Sequence, residues 1–333
     1  NGLQMAGIPI RSSRLPGFVC DGFQGEGRVS CSWVFESGIL DIDMNTPLVS
    51  VLLPCRNGSA TLGLALRSVL SQTFCDFELL FLDDGSTDDS VEIAHSFADE
   101  RIRILSDGLG KGLPKRLNEG VALARGRYIA RMDADDICFP ARFERQVMYL
   151  DTHPEVDLLG CRAVVFRDPA TVVGLLPFAA DHARLCARPW RNIPLPHPSW
   201  MGRREWFETH PYRLPEVRRA EDQELLLRGS LDSRYACLEE VLLAYRQGPF
   251  QLKRTLVARH SLLAAQLDYF VSKNAWGNAF RALALSSVKV VVDGLAALPG
   301  GEPIFFRRMG EPVHADVLDT FRQCLATLGS LEQ

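Results

Sequence analysis

The stretch that decides the fold comprises residues 128–136 and reads YIARMDADD. Its first five residues are mostly apolar, as in a buried β-strand, and three carboxylates follow within the next four positions. A strand that ends in closely spaced carboxylates presents oxygen ligands, which a hard cation such as Mg²⁺ or Mn²⁺ prefers. We therefore expect Asp133 and Asp135 to be metal ligands, although an Asp-x-Asp pair alone is common in solvated loops.

Three strand–helix pairs precede this stretch. Apolar runs predict strands at 48–55, 77–82 and 101–105, and each is followed by a run with helical spacing. Ser59 is predicted as the N-cap of the first helix, and residues 86–89, which read STDD, as a capping box of the second. Such alternation indicates an α/β fold with a mostly parallel sheet and helices on both faces.

Polar residues follow several of the predicted strands. Asn57 comes after the first strand, Asp83 and Asp84 after the second, and residues 133–136 after the fourth. Because ligands of open α/β sheets bind beyond the carboxyl ends of the strands, we expect these residues to converge on one crevice. One aspartate of the 83–84 pair is expected to cap the following helix. The other is available to a nucleotide base or ribose.

The rest of the chain carries weaker patterns. We predict a helix at 139–150, strands at 156–166 and 171–176, a helix at 220–228, and then mainly helices, at 250–273, 276–298 and 315–328. Glu221 and Asp222 lie in the first turn of the 220–228 helix. One of these carboxylates could act as a general base, or both could simply interact favourably with the helix dipole. His197 lies in a loop made rigid by two prolines. It is either a residue of the site or a loop histidine that makes only a local hydrogen bond.

Composition excludes several classes of protein. The net charge of −4 provides no broad positive field, so we expect no nucleic-acid binding. The nine cysteines never form a Cys-x-x-Cys pair, which argues against a zinc site and favours a reducing compartment. The turn after the first strand lacks the Gly-x-Gly-x-x-Gly of a Rossmann oxidoreductase. No apolar run is long enough to span a membrane, which leads us to expect a soluble protein.

The chain is expected to have three parts. Residues 1–43 are rich in Gly and Ser without a hydrophobic period, and we predict a poorly ordered, dispensable extension. Residues 44–248 would form the catalytic domain, and residues 249–333 a helical C-terminal region. We expect these apolar helices to pack on the catalytic domain. Peripheral membrane association and a homodimer interface remain open as further roles.

The order of these motifs resembles that of the family 2 glycosyltransferases, which are inverting enzymes with the GT-A fold. The resemblance rests on PLVSVLLP at 47–54, SQTF at 71–74, DDGSTD at 83–88, LNEG at 117–120, the 128–136 stretch, HPS at 197–199 and AED at 220–222. Two positions depart from the family pattern. Arg56 replaces an aromatic residue that is frequent there, and Lys111 replaces a polar amide.

The resemblance implies a nucleotide pocket after the first two strands. Asp84 would hydrogen-bond a uracil-type base, and Pro54, Arg56 and Asn57 would line the same pocket. Asp133 would lie at the ribose and the metal.

The resemblance also implies roles on the metal and acceptor sides. Asp135 would be the direct ligand of Mn²⁺ or Mg²⁺, and Asp222 the catalytic base. Glu221 and His197 would shape the sugar and acceptor pocket.

The implied reaction is transfer of a sugar from a UDP-sugar to a hydroxyl of a glycan or lipid-linked acceptor, in polysaccharide or lipopolysaccharide synthesis. The implied location is the cytoplasm, at the inner face of the membrane. Inversion needs a base on one side of the sugar and a leaving-group stabiliser on the other, and a metal can be that stabiliser. A nucleotidyltransferase and a non-catalytic sugar-nucleotide-binding protein of the same fold are the alternatives.

Overall fold

The computed structural model describes residues 46–215, 219–301, 303 and 311–330. The predicted extension at 1–43 lies outside these residues. The first part of the described chain alternates strands and helices: β1 (Val49–Cys55), α1 (Ser59–Leu70), β2 (Phe77–Asp83), α2 (Ser90–Ser96), β3 (Ile102–Leu105), α3 (Leu113–Leu123) and β4 (Tyr128–Arg131).

The later part is more mixed. It contains β5 (Ile137–Cys138), α4 (Arg142–Thr152), β6 (Leu158–Asp168), β7 (Thr171–Leu175), α5 (His182–Leu185), a 3₁₀ turn (His197–Ser199), β8 (Met201–Arg203), α6 (Arg204–Thr209), α7 (Glu221–Gly229) and β9 (Tyr235–Arg246). Three long helices follow: α8 (Leu252–Ser272), α9 (Trp276–Ala296) and α10 (Ala315–Ser330).

The strands form one sheet in the order β3-β2-β1-β4-β8-β6-β9-β5, and β7 also pairs with β6. Strands β1 to β4 are parallel to one another, as are β6 and β9. Strand β8 is antiparallel to both β4 and β6 and therefore joins the two parallel groups. The predicted α/β fold with a mostly parallel sheet and C-terminal helices is confirmed.

Three strands were not predicted. Strand β5 has only two residues. Strand β8 has three residues, too few to show a period. In β9, Glu239 and Glu240 interrupt the apolar pattern, because the pairing with β6 skips from Leu238 to Val241 at a bulge. An exposed acidic pair in the middle of an apolar run hides the strand from a pattern of alternating residues.

The predicted helix caps are wrong. Ser59 is already helical, and α2 begins at Ser90, after the proposed capping box. Asp88 instead serves both helix starts. Its carboxylate accepts hydrogen bonds from the backbone N–H of Ser59 at 2.9 Å and of Ser90 at 3.1 Å. The charge of Asp88 thus satisfies free N–H groups at two helix N-termini at once.

A buried carboxylate fixes the entry to β4. Glu78 on β2 accepts hydrogen bonds from Ser50 Oγ at 2.7 Å and from the backbone N–H of Arg125 at 2.8 Å, and it pairs with Arg103. Burial alone would raise the pKa of Glu78, but these hydrogen bonds bring it below its usual value. Gly126 donates its N–H to Ser50 Oγ at 2.8 Å, so the chain before β4 lies directly against β1.

The helices at the C-terminus pack on the sheet domain at two places. Phe321 and Cys324 of α10 join the apolar cluster that contains Phe166 of β6. Phe270 of α8 and Ala279 of α9 join a second cluster with Leu227 of α7. The predicted domain boundary between residues 248 and 249 remains a prediction.

We predict that Gly126→Ala destabilises the protein. A Cβ at this position would lie 2.6 Å from the Ser50 backbone nitrogen, and backbone cannot move aside as a flexible side chain can. Such overpacking typically costs about 1–3 kcal/mol in the free energy of unfolding, measurable by urea denaturation. The control is Gly248→Ala, because a Cβ there meets nothing within 4 Å. Equal stabilities of the two variants would contradict this packing.

Candidate active site

Three carboxylates follow β4. One oxygen each of Asp133, Asp135 and Asp136 lies within 4.8 Å of the others. Asp136 is buried, and its Oδ1 accepts a hydrogen bond from the Arg246 N–H at 2.7 Å. Its Oδ2 is buried without a hydrogen-bond partner among the described residues. Asp136 was not predicted as a ligand, although the run of three aspartates in four positions was a signal for it.

These carboxylates resist ionisation. Burial and, next, the neighbouring charge of Asp133 raise the pKa of Asp135 to about 6. Burial, together with Asp133 and Asp135, also holds the pKa of Asp136 well above its usual value. Clustered oxygen ligands with an orphaned buried carboxylate oxygen fit a hard divalent cation, which would offset this repulsion.

A buried cation lies beside them. Arg131, the last residue of β4, is only 3% exposed, and its Nη2 lies 2.5 Å from Asp133 Oδ1. Its Nε and Nη1 have no hydrogen-bond partner among the described residues. No role was assigned to Arg131 from the sequence. Its central position could not be inferred from the sequence, because arginine side chains are usually solvated.

The second acidic group begins α7. Burial raises the pKa of Glu221 to about 7, with the charge of Asp222 as the next cause. Burial also raises the pKa of Asp222, against a hydrogen bond that its Oδ2 accepts from Gln223 at 3.3 Å. The Gln223 amide exchanges two hydrogen bonds with the backbone of Ile193, at 2.9 and 3.1 Å. The start of α7 is therefore attached to the loop that precedes the 3₁₀ turn.

His197 occupies the 3₁₀ turn as a neutral side chain. Its Nε2 lies 2.6 Å from the Tyr212 hydroxyl. Burial, with Arg131 nearby, holds the pKa of His197 well below its usual range. Asn118 on α3 binds both the N–H and the carbonyl of Tyr212, each at 2.9 Å. Asn118 of the LNEG motif thus positions His197 through Tyr212.

One cavity of about 820 Å³ brings the two acidic groups together, through Asp133 of the first group and through Glu221 and Asp222 of the second. Asp135 and Asp136 are not among its lining residues. Its charged lining residues are Arg131, Asp133, Arg219, Glu221 and Asp222, and His197 is also part of the lining. Much of the remaining wall is apolar: Leu113, Pro114, Leu176, Pro177, Pro194, Leu195, Pro196, Pro198 and Val257. The cavity therefore combines a small charged centre with a wide apolar surround, a combination typical of ligand sites.

Four of the five residues predicted for the nucleotide lie outside this lining: Pro54, Arg56, Asn57 and Asp84. Asp84 Oδ1 accepts hydrogen bonds from the N–H groups of Lys111 at 2.6 Å and Gly112 at 2.9 Å. Asp84 Oδ2 faces Arg56 Nη1 at 3.6 Å, too far for a hydrogen bond. The Asp83 side chain instead stabilises the turn that follows β2. Its Oδ1 accepts a hydrogen bond from the Ser86 N–H at 3.0 Å.

The loop after β1 connects the two groups of residues. Asn57 adopts a φ of 53°, in the left-handed region that asparagine tolerates, and its Oδ1 accepts from the Thr87 N–H at 2.8 Å. Thr61 Oγ1 donates to the Ala134 carbonyl at 3.0 Å, inside the run of aspartates. Pro54 is buried in β1. The Asp84 region and the carboxylates after β4 are thus neighbours on the same edge of the sheet.

Sequence comparison gives consistent matches. The family described as "Glycosyl transferase family 2" matches residues 50–210. The putative glycosyltransferase EpsE of Bacillus subtilis is 34% identical over 216 residues, which cover 62% of this chain and 76% of EpsE. WfgD of Escherichia coli, named UDP-Glc:alpha-D-GlcNAc-diphosphoundecaprenol beta-1,3-glucosyltransferase, is 36% identical over 104 residues, covering 31% of this chain and 41% of WfgD.

Solved structures share the fold at low sequence identity. S. aureus TarS 1–349 in complex with UDP-GlcNAc matches with a TM-score of 0.55 and 15% identity, over 85% of this chain and 91% of TarS 1–349. The mannosyltransferase PcManGT of Pyrobaculum calidifontis, solved with GDP-Man and Mn²⁺, matches with a TM-score of 0.52 and 15% identity, over 88% and 89%. The chain belongs to glycosyltransferase family 2, and it is a glycosyltransferase with the GT-A fold.

Proposed function

We propose that this enzyme transfers a sugar, with inversion at the anomeric carbon, from a UDP-sugar to a hydroxyl of a lipid-linked or other glycan acceptor. The pathway we propose is synthesis of cell-surface polysaccharide or lipopolysaccharide. The observation that carries this proposal is the single cavity lined by Asp133 and Arg131 as well as by Glu221 and Asp222. The names of the relatives support it, since WfgD is named for UDP-Glc and a diphosphoundecaprenol acceptor, and TarS was solved with UDP-GlcNAc.

Asp222 is the proposed base. As the acceptor oxygen forms its bond to the anomeric carbon, its proton passes to Asp222, and the bond to the UDP oxygen breaks with its electron pair leaving on the diphosphate. Burial raises the pKa of Asp222, which makes its ionised form a stronger base than an ordinary carboxylate. The hydrogen bond from Gln223 holds the carboxylate in one orientation.

Asp133, Asp135 and Asp136 are the proposed ligands of Mn²⁺ or Mg²⁺, since their oxygens are clustered and Asp136 Oδ2 lacks a protein donor. A bound cation supplies Lewis-acid stabilisation of the charge on a diphosphate. Arg131 adds a protein contribution. Arg131 lines the cavity, and its positive charge would stabilise the negative charge of the donor's diphosphate.

Asp84 is the proposed hydrogen-bond partner of the uracil base of the donor. Its Oδ1 is occupied by the Lys111 and Gly112 N–H groups, whereas Oδ2 is available to accept a hydrogen bond from the imide N–H of uracil. The exposed Arg56, 3.6 Å away, keeps a positive charge beside this carboxylate. Pro54 and Asn57 complete the proposed pocket.

We predict that UDP binding depends on a divalent metal and that Asp135→Ala removes this dependence. Calorimetry with UDP, with and without Mn²⁺, measures it directly. Asp319→Ala is the control, since Asp319 is an exposed aspartate on α10. Equal metal dependence in Asp135→Ala and wild type would remove Asp135 from the site. Binding of GDP in place of UDP would overturn the proposed donor class.

We predict that Asp222→Asn keeps UDP binding but lowers the rate by about 10²- to 10⁴-fold, the usual scale of general base catalysis. Hydrolysis of UDP-glucose and UDP-GlcNAc provides a readout with water as the acceptor. Since a base must be ionised, the wild-type rate should fall as the pH drops through the raised pKa of Asp222.

Glu221→Gln distinguishes the two carboxylates. If Asp222 is the base, this variant keeps the fall in rate at low pH, because the carboxylate that must be ionised is still present. If Glu221 were the base, the fall in rate at low pH would be centred near the Glu221 pKa of about 7 and would disappear in Glu221→Gln. That second result would contradict our assignment.

A further inference from the structure

Helix α9 exposes a broad apolar face. Phe280 is 72% exposed, Val291 65% and Trp276 62%. The other large exposed apolar residues of this segment are Leu283, Val288, Val290, Leu295 and Leu298. At 3.6 residues per turn these side chains occupy an arc of about 160° over a length of about 33 Å. Contiguous apolar surface of this extent indicates an interaction site.

The charged residues of α9 are turned away from this face. Asp293 is buried and accepts a hydrogen bond from Arg259 of α8 at 2.9 Å. Lys289 donates to the Arg191 carbonyl at 3.4 Å, and the Arg281 guanidinium lies 4.8 Å from the centre of the Trp190 ring. Arg281 is the one charged residue among the exposed residues of α9. The polar side of the helix therefore meets the protein, and its apolar side meets solvent.

The surroundings of this face are basic. Helices α8 and α9 together carry five Lys and Arg residues and two Asp, a formal charge of +3, whereas the whole chain carries −4. Lys273, in the turn between the two helices, adds a further positive charge. Both aspartates are paired, Asp293 with Arg259 and Asp268 with Arg213. Lys253, Arg254 and Lys273 are exposed. Positive charge beside exposed aromatic and aliphatic side chains is the pattern of a helix that lies in an anionic membrane interface.

We propose that α8 and α9 form a docking surface for an anionic lipid bilayer, with the apolar face of α9 inserted at the level of the headgroups. The exposed basic residues would meet lipid phosphates. The helix would lie on the membrane, since no helix of the described residues is long and apolar enough to cross one. A second copy of the chain is a poorer occupant, because a two-fold interface would bring two positively charged surfaces together.

The docking surface is continuous with the active-site cavity. Val257 of α8 lines that cavity, next to an apolar wall that includes Leu176, Pro177 and Pro194. An acceptor carried on a membrane lipid would thus meet the cavity from the side on which the protein docks. This route of the acceptor to the cavity rests on the proposed function, in which the acceptor is lipid-linked. Docking of the protein on the bilayer does not.

Co-flotation of the full chain with vesicles tests the proposal without any substrate. We expect binding to vesicles of phosphatidylglycerol and phosphatidylethanolamine, and weaker binding to phosphatidylcholine alone. The double variant Phe280→Glu/Val291→Glu should bind at least about tenfold less, since it places charge where two apolar side chains are inserted. Leu231→Glu is the matched control, because Leu231 is 71% exposed but lies outside α8 and α9. Its binding should equal that of the wild type.

Three results would overturn the proposal: failure of the wild type to bind anionic vesicles, equal binding of wild type and double variant, or a wild-type dimer in solution that the double variant converts to a monomer. UDP-sugar hydrolysis is measured on the same proteins. Weaker flotation with unchanged hydrolysis supports docking. Absence of hydrolysis in the wild type would count against the proposed function and leave the vesicle result to be judged alone.

Discussion

The candidate active site depends on one buried guanidinium. Arg131 pairs with Asp133 at 2.5 Å, and its charge lowers the pKa of Asp135, Asp136, Glu221 and Asp222 against the opposing effect of burial. Several carboxylates in one poorly solvated cavity would otherwise bind protons and lose the ability to hold a metal or accept a proton from an acceptor. Arg131 is thus what allows an acidic metal group and an acidic base group to share one cavity.

The sheet determines where Arg131 lies. Its N–H donates to the Trp200 carbonyl at 2.9 Å, and its own carbonyl accepts from Arg142 Nη2 at 2.8 Å. Arg142 is fully buried and also donates to Trp200, so it ties the end of β4 to the segment that enters β8. Because β8 is preceded by the 3₁₀ turn, the same contacts bring His197 to the cavity. Gln223 then attaches α7 to the neighbouring loop.

The sequence predicted the elements that have a clear period and missed those that do not. Strands β1 to β4 are apolar runs followed by polar loops, and they were found. Strand β8 has too few residues to show a period, and a bulge interrupts the apolar pattern of β9. The acidic candidates were found because carboxylates at strand ends are visible in sequence. The positions of Arg131 and Asp136 in the site were not predicted, because they depend on burial and on hydrogen bonds between segments that are distant in sequence. Likewise, the neutral state of His197 follows from burial and from Arg131, which the sequence does not display.

The central claim is that Arg131 stabilises the ionised carboxylates, and the most direct measurement is the unfolding free energy of Arg131→Gln at two pH values, with a chelator present. Removing the cation raises the pKa of Glu221 and Asp222 further above their unfolded values, so their ionised forms destabilise the folded state as pH rises. The account predicts a loss of about 3–5 kcal/mol at pH ~8 and a clearly smaller loss at pH ~6, where Glu221, with its pKa raised to about 7, binds a proton. Arg127→Gln, which removes an exposed arginine, should change stability little at either pH. A loss for Arg131→Gln that is small, or equal at both pH values, would contradict the account.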